Sequence, residues 1–143
     1  MESWKVAAFF AALLYGLHNI FTKLASGKIS DQFGAFLLEA TASILILVYL
    51  VFLTLSGSRP ISYTKEGILF SALAGASVAV GSILYFFIFR LGGNLSVAGP
   101  LILVGGVLVM VAAGIVIFHD QISLQNEIGI ALGIISLYLL SKQ

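Results

Sequence analysis

Five apolar runs, each close to the length that crosses a bilayer as a helix, leave this chain few ways to fold. They are Trp4–Leu24, Phe33–Leu55, Gly67–Leu91, Ser96–Phe118 and Gln125–Leu140. A helix rising about 1.5 Å per residue needs roughly 20 residues to traverse the hydrocarbon core. Short polar breakers separate the runs: SGKISDQ, SGSRPISYTKE, GGN and HDQIS. Several place turn or N-cap residues just before the next run, as Asn94 with Ser96, and Ser123. Composition supports this reading, since 60% of residues are hydrophobic and only 9% charged. A water-soluble chain of this length could not hide so much apolar surface. The expectation is an all-α polytopic membrane bundle of five transmembrane helices, forming one domain over residues 1–143. The first run is too long for a signal-peptide core and lacks a small-x-small cleavage site, so it reads as a retained helix. The short third and fourth connections make helices three, four and five antiparallel neighbours in a compact meander.

Several functions are disfavoured at once. The net charge is +1, and no Lys/Arg cluster is dense enough for a nucleic-acid partner. Cysteine is absent, which removes disulfides and thiolate metal sites. The two histidines, His18 and His119, fall at opposite ends of the map, so no metal site is expected. No nucleophile–base–acid set, P-loop or dinucleotide fingerprint is present. The pairs Gly92–Gly93 and Gly105–Gly106 lack the strand–turn–helix setting of a phosphate site. Neither an enzyme nor a cofactor is expected.

The stretch YGLHNIFTK, Tyr15 to Lys23, is the most informative local signal. Tyr15, His18, Asn19 and Thr22 recur at i, i+3, i+4 and i+7, on one face of a helix. Polar groups in hydrocarbon are costly without partners or water, so this face should look toward other helices or a cavity. Glu39 is the one carboxylate well inside an apolar run, roughly 9 Å below the start of the second run at 1.5 Å per residue. A charged carboxylate costs ~2.5–3.5 kcal/mol at a helix centre on insertion scales. A group so placed suits proton binding and release. Alternation of the helices brings His18, Asn19, Thr22, Lys23, Glu39 and Arg90 to one membrane face. The expected substrate path is Tyr15, His18, Asn19, Thr22, Glu39 and Tyr85, with Glu39 and His18 as proton-coupling groups. Lys23 and Arg90 are the candidate charge partners. The plainer reading stays open beside it: Glu39 pairs with Arg90, Lys23 or His18 to lock helices together, His18 is an interhelical hydrogen-bonding residue, and Arg90 anchors a helix end.

Small residues are spaced for close helix contact. Gly67, Ser71, Gly75 and Ala79 repeat every four positions, and Gly129 with Gly133 forms a G-x-x-x-G pair. The latter pair is the candidate dimer contact, with an internal contact as the alternative. Pro100 falls near the start of the fourth run, where a missing N–H costs little. With five spans the termini lie on opposite sides. Lys5, Arg59 and Lys65 then face one side and Lys23, Lys28, Arg90 and Lys142 the other. So even a balance gives no clear orientation. Either the first helix or the insertion machinery decides it, or copies insert both ways.

The combined pattern resembles one half of a drug/metabolite transporter of the EamA type, along nearly the whole chain. It begins with Trp4, Ala11, Tyr15–Gly16 and Lys23 in helix one. LYFFIFRLGGNLSVAGP resembles that family's L-Y-x-x-A-L turn into helix four, and FHDQISLQNEIGIALGIISLYLLSK its closing segment. Most members carry ten helices as two five-helix repeats of opposite orientation. The resemblance therefore implies an inverted-repeat half that works as an antiparallel homodimer of dual topology. A small-molecule substrate, metabolite or drug-like, would sit near the midplane of the lipid bilayer, with alternating access. Three positions depart from the pattern. Tyr15 stands where the related small multidrug resistance proteins carry a Glu eight residues before a Lys. Glu39 stands where EamA-type chains often show Arg, and Asp120 replaces the usual Glu of the closing segment. The rival expectations are a non-transporting subunit of a hetero-oligomeric membrane complex and a lipid-linked-sugar flippase component. The expected location is the cell (cytoplasmic) membrane.

Overall fold

A computed structural model of the chain describes residues 3–57 and 61–142. Ser58, Arg59 and Pro60 of the second breaker lie outside the described residues, and with them the Arg59 charge. The described residues form five α-helices and no sheet: α1 (Ser3–Ala25), α2 (Asp31–Leu55), α3 (Lys65–Arg90), α4 (Leu95–Val116) and α5 (Leu124–Leu140). Helices α1 to α4 are long and apolar enough to cross a membrane. This is a membrane protein. Helix α5 is equally apolar in character but has 17 residues, about 26 Å at 1.5 Å per residue against a core of ~30 Å. Four helices, rather than the five expected, reach spanning length.

The ends of the helices follow local chemistry. Thr64 caps α3 by accepting a hydrogen bond from the Gly67 N–H at 3.0 Å, and Ser123 caps α5 through the Asn126 N–H at 3.3 Å. Gly57 and Gly92 follow the C-caps of α2 and α3 with φ of 66° and 96°, the left-handed conformation that glycine takes without steric cost. Helix α4 has no such glycine. His119 adopts φ 54° there instead, and the Asp120 N–H donates to the Gly114 carbonyl at 3.0 Å. The helix therefore ends at Val116, before the expected Phe118. Pro100 is the sixth residue of α4, one position deeper than in the expected run, so its missing N–H leaves the Ser96 carbonyl without its intrahelical donor.

The chain divides into two compact units, Met1–Gly92 and Gly93–Gln143. In the first, α3 packs against both α2 and α1. Its buried apolar residues are Ala35, Phe86 and Phe89, and Gly34 makes the closest approach. A Cβ at Gly34 would lie 2.6 Å from Cε1 of Phe86, so only a bare backbone lets the ring seat there. Other apolar side chains face outward, among them Leu45, Val48 and Phe52 on α2. In hydrocarbon such faces carry no penalty, and association rests on packing and polar contacts instead. The spaced small residues of α3 (Gly67, Ser71, Gly75, Ala79) are all exposed, and no atom lies within 4 Å of a Cβ built on Gly75.

In the second unit α5 packs on α4. A groove of about 700 Å³ runs between them, with Gly114, Gly129 and Gly133 on its walls and Asp120, Gln125 and Asn126 at one end.

Candidate functional site

The polar face of α1 divides along its length. Asn19 and Thr22 are buried, at 8% and 3% exposure, whereas Tyr15 is 65% exposed. His18 is half-buried between the two regimes. Its ring centroid lies 6.4 Å from Tyr15 and 6.3 Å from Tyr85 of α3, and Tyr85 in turn sits edge-on to Phe89 at 5.2 Å. The Thr22 hydroxyl donates back to the His18 carbonyl at 2.9 Å, which satisfies it within its own helix. The Ser26 hydroxyl donates to the Phe86 carbonyl at 3.0 Å, pinning the end of α1 to α3. The hydroxyl of Tyr85 is buried without a hydrogen-bond partner among the described residues. The structure thus brings His18 and Tyr85 into contact and leaves Tyr15 on the outer flank.

The charges at this end of the unit pair differently from the sequence expectation. Arg90 Nε donates to Asp31 Oδ2 at 2.8 Å, with Asp31 at 5% exposure and the Arg90 side chain at 47%. Arg90 is therefore a charge partner of Asp31 rather than of Glu39. Its guanidinium also lies 5.0 Å from the Phe87 ring. Lys23 donates to the Phe89 carbonyl at 3.4 Å and sits 5.2 Å from that residue's ring. A cation at the C-terminus of α3 complements the exposed carbonyls there. Asp31 falls in the expected breaker, but α2 begins two residues earlier than its apolar run and takes Asp31 into its first turn. An acidic residue directly after a serine, opening a helix, is a legible N-terminal signal. The other oxygen of Asp31, Oδ1, is buried with no partner among the described residues.

Glu39 lies eight residues into α2, about 12 Å along the axis from Asp31. Its Oε1 accepts a hydrogen bond from the Ser82 hydroxyl of α3 at 2.6 Å. Glu39 and Ser82 are both half-buried. Ser82 and Tyr85 are one turn apart on α3, so the α3 surface that meets Glu39 also carries the tyrosine against His18. Nothing in the sequence pointed to Ser82: a serine in an apolar helix carries no mark of a contact 43 positions away.

No family model, curated protein or solved structure matches this chain. Its chemistry must be read from the residues themselves. Among the described residues no group of three His, Asp or Glu side chains could hold a metal ion. What unit one offers is a set of weakly committed polar groups at membrane depth: the imidazole of His18, the Tyr85 hydroxyl, and a carboxylate held by one neutral donor. Such a set can exchange hydrogen bonds with a solute. In unit two, a Cβ built on Gly133 would meet Val104 at an ordinary 3.6 Å, while one on Gly129 meets nothing within 4 Å. Gly133 serves the α4–α5 contact, and Gly129 lines the open groove.

Proposed function

We propose that this chain is one inverted-repeat half of an EamA-like secondary transporter, acting in the cell membrane as an antiparallel homodimer. It moves a small metabolite or drug-like solute by alternating access, coupled to protons through Glu39. The observation that carries this reading is the state of Glu39. Arg90 is committed to Asp31, and Glu39 receives a hydroxyl hydrogen bond rather than a cation. A carboxylate held by a neutral hydroxyl inside an apolar helix is open to a solute in a way that an ion-paired one is not. His18 and Tyr85 present further donors beside it, and the exposed Tyr15 carries that flank outward toward the second copy, while Asn19 and Thr22 lie buried behind it. The resemblance in helix one and in the closing segment supports the class of protein, and the balanced charges support insertion both ways.

Uptake into proteoliposomes under an imposed proton gradient tests it, with ethidium as the drug-like probe and a labelled amino-acid mixture as the metabolite probe. Native protein should accumulate a probe in a pH-dependent manner. Glu39→Gln should reduce that uptake to the level of empty liposomes while the dimer persists on a sizing column. Unchanged pH-dependent uptake in the variant removes Glu39 from the mechanism. Absence of uptake together with one stoichiometric foreign partner would favour the non-transporting subunit.

A further inference from the structure

A groove of about 320 Å³ lies between α1 and α2, floored by Phe86 of α3. It opens at the α1–α2 turn beside Ile29 and Ala25 and ends at Thr41 and His18. Its walls run from Ala25 to His18 on α1 and from Gly34 to Thr41 on α2, seven residues each and about 10 Å at 1.5 Å per residue, which keeps the groove within one leaflet of the ~30 Å hydrocarbon core. A partner helix crossing the membrane would need a seat along the whole span, so the groove suits an acyl chain and not a helix.

Its lining agrees. Phe21 and Leu37 form exposed rims. The two threonines spend their hydroxyl protons on their own helix, Thr22 on the His18 carbonyl and Thr41 on the Leu37 carbonyl, which leaves the His18 imidazole at the inner end as the polar group of an otherwise apolar wall. The mouth, by contrast, is cationic. Lys28, next to Ile29, is exposed in the turn, and Lys23 and Arg90 end their helices at the same level, against the single carboxylate of Asp31. Arg90 is balanced by Asp31, so the exposed Lys28 is the cation that the turn sets next to the groove's mouth. From the depth, the apolar walls and this charge, we infer that the α1–α2 groove holds one acyl chain of an anionic phospholipid whose headgroup meets Lys28.

Native mass spectrometry of the detergent-purified full chain tests the assignment, with equal amounts of phosphatidylglycerol and phosphatidylcholine of the same acyl composition added. The native chain should retain phosphatidylglycerol over phosphatidylcholine by roughly fivefold, the scale of one interfacial lysine on an anionic lipid. Lys28→Glu, a substitution at an exposed turn position, should erase that preference. Ala25→Phe, which fills the mouth, should lower retention of both lipids. Equal retention of the two lipids by the native chain overturns the assignment. So does loss of the dimer in Ala25→Phe with lipid retention intact, which would give the groove to a second copy.

Discussion

At the residue scale the Asp31–Arg90 pair joins α2 to α3 through a buried carboxylate. Removing Arg90 leaves a carboxylate at 5% exposure without its donor. Fully buried pairs lose ~3–5 kcal/mol when one partner is deleted. Because Arg90 is half exposed, Arg90→Gln should cost less, ~1–3 kcal/mol. The double variant Asp31→Asn/Arg90→Gln should recover part of the loss, since the stranded charge is then gone. Thermal melting in detergent reads both, and equal losses in the single and double variants would contradict the assignment. Helical spacing made the polar side chains of α1 legible beforehand: Asn19 and Thr22 do turn inward. It could not show that Tyr15, four residues before Asn19 on the same face, is left exposed. The partners of Arg90 and Glu39 were illegible for a different reason. Pair choice depends on how α2 and α3 are set against each other, and contacts 59 and 43 positions apart leave no periodic trace.

At the scale of elements, apolar runs bounded by turn chemistry placed all five helices to within about two residues at each end. Runs of this kind are legible because hydrocarbon forces the backbone to satisfy itself, and a helix does so locally. The apolar runs stop short where polar residues are helical: Asp31 and Gln32 open α2, and Lys65 and Glu66 open α3, because the first turn of a helix leaves N–H groups that polar surroundings satisfy. The α2–α3 contact turned on Gly34, which no spacing singled out. Gly34→Ala would set a methyl group 2.6 Å from the buried Phe86 ring and should cost ~1–3 kcal/mol by overpacking. Gly75→Ala, with open space at the same α3 helix's exposed face, should be neutral or slightly stabilising through helix propensity. The pair of melting curves separates a specific packing site from a general intolerance of substitution, and similar losses at both positions would refute the first.

For the whole molecule, the small buried core, the outward apolar faces and the polar groups of Tyr15, His18 and Tyr85 share one explanation in the proposed assembly. In that assembly lipid would cover most of the surface, and a second, inverted copy would complete the passage beside the polar flank. If α5 spans as the sequence reading expects, three and four basic residues fall on the two sides, a balance that leaves insertion free to go either way. The chain has no cysteine, so single thiol probes introduced at positions 2 and 143 report without background. Labelling with a membrane-impermeant maleimide, from outside intact cells and from inside after selective lysis, reads orientation at each end. Two inverted copies predict that each position is labelled from both sides in comparable amounts. A single pattern, with each end reached from one side only, would contradict the antiparallel homodimer on which the account rests.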